Sequence, residues 1–186
     1  MLAMIRASLT ALILLLPTAA VATPQSATIP WTDPRPQARG ETLLRATMIS
    51  AHNQARRQYG SGPLVWDDGL ARDAAVYARK LARSGRFEHD PQAGRPKQGE
   101  NLWVGTRSAY SYAEMIGLLV DERRYFRPGR FPAVSRTGDW SKVAHYTQIV
   151  WPATQRVGCA TASNRASDYL VCRYWPAGNV VGTVMR

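Results

Sequence analysis

Acidic side chains are scarce in this sequence: 13 Asp and Glu stand against 24 Lys and Arg, a formal net charge of +11. Such a balance excludes indifference to polyanions and implies salt-dependent attraction to anionic envelope polymers or lipid headgroups. Specific nucleic-acid recognition is not indicated, because no base-stacking motif or zinc module accompanies the charge. Most of the bases, Arg72, Arg79, Lys80 and Arg83 among them, fall on expected polar helix faces where charge serves solvation. There are two cysteines, too few for a disulfide framework, and neither has a CxxC partner or a nearby histidine to make it reactive. Familiar nucleophile and metalloprotease signatures are missing too: no Gly-x-Ser-x-Gly elbow and no His-Glu-x-x-His helix.

Long apolar runs are absent as well. Residues 1–22 read as an export signal, with a basic start at Met1 to Arg6, a short apolar core from Ala11 to Leu16 and a small-residue cleavage pattern at Ala20-Val21-Ala22. Secretion or periplasmic export is the expected destination, and without Arg6 the net charge becomes +10 (11 − 1). Residues 23–40, rich in Pro, Thr and Gln, are expected to form a flexible leader, and residues 41–186 one folded domain.

Within that domain, apolar residues spaced three to four apart predict a helix from Glu41 to Tyr59 with Gly60 as its stop, and His52 lies on the apolar stripe as a packing residue. Leu64-Val65-Trp66 reads as a short buried entry to the next helix. Asp67 or Asp68 then caps a second helix whose stripe is Leu70, Ala74, Tyr77, Ala78 and Leu81, ending near Gly85. Ser111 and Glu114 form a capping box for a third helix. Its stripe, Met115, Leu118, Leu119, Tyr125 and Phe126, has a gap that Glu122 fills. A carboxylate on an inward face costs several kcal/mol unless paired, so Glu122 needs a partner. Glu100, pressed against Leu102 and Trp103, has the same need. Cys159 and Cys172 flank a turn at Ser163 to Asp168, and in an exported chain a disulfide across the hairpin is the default, worth roughly 3 kcal/mol for a loop this short.

Only three histidines are present. His89 precedes Asp90-Pro91 and so belongs to a loop. His145 is expected where loop becomes strand, ahead of the β-prone Ile149-Val150-Trp151. Two histidines and two misplaced acids can form a hydrogen-bonded network, a weak solvent-completed site for a divalent metal such as zinc, or an acid–base pair.

The residues resemble a known family at this point. Ala51-His52-Asn53-Gln54-Ala55-Arg56, Leu64-Val65-Trp66-Asp67, Gly99-Glu100-Asn101-Leu102, His145-Tyr146-Thr147-Gln148-Ile149-Val150-Trp151 and Leu170-Val171-Cys172-Arg173-Tyr174-Trp175-Pro176-Ala177-Gly178-Asn179 are similar, in order, to motifs of the CAP superfamily (cysteine-rich secretory proteins, antigen 5 and pathogenesis-related 1). The likeness is to single-domain bacterial-like members and runs from about Leu43 to Gly182. It implies an α+β fold, a three-layer α-β-α sandwich with a small central antiparallel sheet. It also implies a cleft tetrad of His89, Glu100, Glu122 and His145, with His89 and His145 as the metal ligands. Two departures stand out: Ala144 where many relatives have glycine, and Leu119 where many have tryptophan.

The function so implied is a secreted, non-enzymatic protein that holds a sterol or fatty acid between helices. Two alternatives are a metal-assisted hydrolase with Glu100 or Glu122 as base, and an envelope protein-interaction module.

Overall fold

The computed structural model describes residues 37–91 and 97–186, so the expected export signal and most of the leader lie outside the described residues. The last leader residues are tied to the body. Arg39 Nη2 donates to Tyr110 O at 2.8 Å and to Asp168 Oδ2 at 3.0 Å.

Helix α1, Glu41–Tyr59, buries Leu44, Met48, His52 and Ala55 on one face and ends at Gly60 in the left-handed conformation. Arg56, although a basic residue on a helix, is only 1 % exposed. Strand β1, Val65–Trp66, leads into α2, Asp68–Ser84, whose N-cap Asp67 accepts from Leu70 N and whose C-cap is Gly85. Of the expected buried entry only Leu64 is fully buried; Val65 is exposed. Strand β2, Gly99–Thr106, is followed by α3, Tyr112–Val120, with the Ser111/Glu114 capping box formed.

The third helix departs from its expected course. At Asp121 it tightens into a 3-10 turn, Asp121–Tyr125, and α3 buries Tyr112, Met115, Ile116 and Leu119, leaving Leu118 in solvent. After strand β3, Gly129–Arg130, a second 3-10 turn, Trp140–Val143, feeds helix α4, Ala144–Val150. His145 is therefore in the first turn of a helix, not at the mouth of a strand. Tyr146 through Val150 are all buried, so no period betrays the helix, and burial on every side overrides the β preference of Ile149 and Val150. Strands β4, Arg156–Ser163, β5, Ser167–Trp175, and β6, Val184–Met185, complete the chain.

The main sheet has the order β1-β4-β5-β2; β4, β5 and β2 are antiparallel and the two-residue β1 joins β4 in parallel. Alternation along β5 sorts its side chains. Tyr169 and Val171 pack under α2 with Ala74, Tyr77 and Leu81, whereas Leu170, Cys172 and Tyr174 join the core with α1, α3 and α4. This is the three-layer sandwich. Where α2 crosses β4, a side chain at Gly158 would meet the Ala71 nitrogen at 2.2 Å, so the absent Cβ lets helix and strand touch. Cys159 and Cys172 face each other across the hairpin and form the expected disulfide.

Candidate functional site

The pleat of β2 sets out the site. Glu100 points to the α2 side and Asn101, next along, to the α4 side. Glu100 pairs in register with Arg173 of β5. Arg173 is fully buried; its Nη2 lies 2.9 Å from Glu100 Oε2 and 2.7 Å from Asp90 Oδ2, and its guanidinium sits 5.1 Å from the Tyr77 ring centroid. Tyr77 in turn donates to Glu88 O at 2.6 Å, fixing the loop just before His89. Burial and the nearby carboxylates of Glu100 and Asp90 push the Tyr77 hydroxyl up to about 12.

Against this buried base, Glu100 Oε1 accepts from His89 Nδ1 at 2.5 Å and from Asp90 N at 3.1 Å. The second pair is built the same way from different elements. Glu122 Oε1 accepts from His145 Nδ1 at 2.6 Å, and its Oε2 accepts from the backbone N–H of His145 at 2.9 Å and Tyr146 at 3.2 Å. These amides open α4, which has no side-chain cap of its own. Glu122 supplies that cap from the 3-10 turn after α3, with its charge at the favourable end of the helix.

In each pair Nδ1 carries the proton toward the carboxylate, which leaves Nε2 as the free ring nitrogen. His89, at 67 % side-chain exposure, and His145, at 29 %, both line one cleft of about 710 Å³ together with Gly99, Trp140, Ser141 and Gln148. A Cβ at Gly99 would fall 2.2 Å from Gln148 Oε1, so the glycine lets that amide reach the cleft. Glu122 stands behind His145 rather than on the cleft wall. The four expected residues are thus joined as two carboxylate–imidazole pairs around one hollow.

Asn101 ties the site to the core. Its Nδ2 donates to His145 O and to the Tyr174 hydroxyl, both at 3.1 Å. His52, as expected, is a packing residue. Its Nδ1 donates to Met48 O at 2.7 Å, so its Nε2 accepts from the Tyr174 hydroxyl at 2.8 Å. Burial lowers the His52 pKa to about 4.

Sequence reasoning missed Arg173, Asp90, Asn101 and Gln148. The available signal was Arg173 itself, a charge inside an apolar strand run that must find a partner if both sheet faces are covered.

A sequence model described as CAP: Cysteine-rich secretory protein family matches residues 49–174. The chain belongs to this family. Among CAP relatives, pathogenesis-related protein 1B of Nicotiana tabacum is 37% identical over 136 residues, 72% of this chain and 76% of that protein. Golgi-associated plant pathogenesis-related protein 1 of Homo sapiens is 33% identical over 135 residues, 72% of this chain and 83% of that one. The crystal structure of NaASP2 with Zn2+ superposes with a TM-score of 0.63 at 21% identity, covering 78% of this chain and 85% of that one; at that identity it speaks for the fold alone. No helix among the described residues of this CAP protein is long and apolar enough to cross a membrane.

The donor set limits what metal the CAP cleft can hold. Among the described residues no three His, Cys, Asp or Glu side chains gather as a metal-binding group. Both carboxylates are spent on imidazoles and amides. Two imidazole nitrogens completed by solvent fit a weak, open site and do not fit a closed structural zinc centre.

Proposed function

We propose that this protein is a secreted, non-enzymatic CAP-domain binding protein that holds an amphipathic acid, such as a fatty acid, in the groove between α1 and α3. The observation that carries the reading is the groove itself. It is an open groove of about 640 Å³ lined by the small or apolar Ala51, Ala55, Ile116, Gly117 and Val120 and by the polar Thr47, Ser50 and Gln54, with Arg123, Asp121 and Gln58 also along it. An acyl chain suits the apolar part of that lining, and a carboxylate suits the Arg123 guanidinium, which already donates to Gln58 Oε1 at 2.8 Å. Neither Arg123 nor Gln58 is buried, so the polar end of a ligand would stay near water.

In the tetrad cleft, His89 and His145 are the residues that would hold a divalent cation such as zinc through Nε2. Bound there, the ion would polarise a coordinated oxygen. Turnover is disfavoured by the commitments of the neighbouring groups. A hydrolase needs a carboxylate free to serve as base, but Glu100 is held by Arg173 and His89 and Glu122 by His145 and two amides. Ser141, the one hydroxyl among the described cleft-lining residues, donates to Asp139 Oδ1 at 2.7 Å and not to an imidazole.

Displacement of a fluorescent fatty acid by palmitate tests the reading. Saturable competition that weakens in Arg123→Gln is expected; absence of saturable binding by the wild-type protein contradicts it.

A further inference from the structure

Phe131 is 4 % exposed, yet it supports a cluster of apolar side chains that face solvent. Trp140 packs on it edge-on, with ring centroids 5.6 Å apart. The turn Val180 to Thr183 is pinned to it by Phe131 N donating to Thr183 O at 2.8 Å and Gly182 N donating to Phe131 O at 2.9 Å. Within that turn Thr183 N donates to Val180 O at 3.2 Å, and Gly182 takes the positive φ of 88° that a type II turn requires at its third position. The tip of the turn is therefore Val181, 76 % exposed, beside Val180 at 51 %. Val184, 48 % exposed, stands opposite Arg130 in the β3–β6 ribbon. Single exposed apolar residues are ordinary. A branched aliphatic pair at a turn tip, adjoining an exposed tryptophan on a shared support, is not, because turn tips select Gly, Asn, Asp and Ser.

In the segments that carry this cluster, cations far outnumber acids. From Arg123 to Lys142 the chain carries Arg123, Arg124, Arg127, Arg130, Arg136 and Lys142 against one acid, Asp139, and from Tyr169 to Arg186 it carries no acid. Asp139 is occupied with Ser141 N and Oγ. Among the described residues Arg127, Arg130, Arg136 and Lys142 make no ion pair. Arg130 Nη1 donates to Gly182 O, holding a cation directly against the turn.

We propose that this rim is a membrane-docking face for an anionic lipid bilayer. Trp140, Val180, Val181 and Val184 enter the boundary between headgroups and acyl chains, and Arg130 and Lys142 meet the phosphates. Aliphatic side chains with an aromatic, bordered by cations, match that boundary in both polarity and charge. A surface of uniform negative charge also satisfies several unpaired cations at once. Trp140 and Val181 line the tetrad cleft too, so docking turns the mouth of that cleft toward the lipid. The inference stands apart from acyl binding between α1 and α3, which lies on other elements.

Co-sedimentation of the protein with vesicles tests it, using phosphatidylcholine alone and an equimolar mixture with phosphatidylglycerol. Binding is expected only to the anionic vesicles, weakening as salt is raised. Val180→Ser/Val181→Ser should weaken it about tenfold or more, and Arg130→Gln/Lys142→Gln about fivefold for each charge removed. Arg79→Gln/Arg83→Gln, which removes the same charge from exposed positions on α2, should change it less than about twofold. Near-ultraviolet circular dichroism confirms that each variant keeps its packing. No association with anionic vesicles, equal binding to neutral ones, an unaffected valine variant, or equal losses in the two charge variants would overturn the proposal.

Discussion

Glu100 and Arg173 stand directly opposite each other across the β2–β5 ladder, with Arg173 Nη2 2.9 Å from Glu100 Oε2 and both side chains buried. Because β2 is pleated, the next residue, Asn101, faces the other layer and holds the carbonyl of His145. Two consecutive residues of one strand thereby serve the two halves of the cleft, one through charge and one through an amide.

Removing Arg173 leaves Glu100 as a buried acid without its cation. Arg173→Met should lower stability by about 3–5 kcal/mol, as breaking one partner of a buried pair does. Adding Glu100→Gln to it should recover part of the loss. Urea unfolding of both variants measures this, and a Met variant as stable as wild type would show that the guanidinium is not balancing this acid.

Among the described residues no carboxylate pairs with Arg56. Its Nε donates to Gly62 O in the loop after α1, its Nη1 to Ile149 O and Trp151 O, and its Nη2 to Thr154 O, gathering carbonyls of that loop, of α4 and of the chain after α4. Burial draws its pKa down to about 10. A lysine ammonium cannot span four carbonyls in a plane, so Arg56→Lys should cost about 2–4 kcal/mol. Thermal unfolding at neutral pH reads the difference, and an unchanged midpoint would refute it.

His52 makes the fold acid-sensitive. Its native pKa of about 4 lies below the ordinary 6.5, so between these values the unfolded chain takes up a proton that the native state refuses. Its contribution is fully present above about 6.5 and is lost as pH falls through that window toward 4. The amount is on the order of 3 kcal/mol. Urea unfolding at pH 7 and pH 4.5 should give a smaller difference for His52→Gln than for wild type. Identical differences would remove His52 from the account.

Glu122 has two duties, capping α4 and fixing the His145 ring. Glu122→Gln should weaken zinc binding about 10- to 100-fold, the usual effect of losing a partner behind a ligand. It should also cost about 1 kcal/mol of stability through the helix end. Calorimetric titration with zinc alone, paired with unfolding, separates the two. Unaltered zinc affinity would assign Glu122 to the helix only.

The legibility of these features in the sequence follows their physics. Helices α1 and α2 were readable nearly to their ends because each has one wet face and each ends at a glycine. Helix α4 was not, since a short helix buried all round leaves no polar stripe, and Pro152 follows a helix as readily as a strand. Glu122 was recognisable as a carboxylate in an apolar slot, although the slot proved to be a 3-10 turn rather than a continued helix. Arg56 and Arg173 escaped because a basic residue is normally solvated. Their burial depends on carbonyls and carboxylates that only the fold brings near.

The groove between α1 and α3, proposed to hold an amphipathic acid, can be closed by one substitution. A Cβ at Gly117 would meet nothing within 4 Å, so Gly117→Phe should fill the groove without disturbing the packing beneath it, and replacing a mid-helix glycine should favour the helix. Native mass spectrometry of the wild-type protein and this variant, both purified from the source cell, decides the matter. An acyl-acid adduct is expected on the wild type and not on Gly117→Phe; a bare mass for both, or the same adduct on both, would rule out acyl binding in this groove.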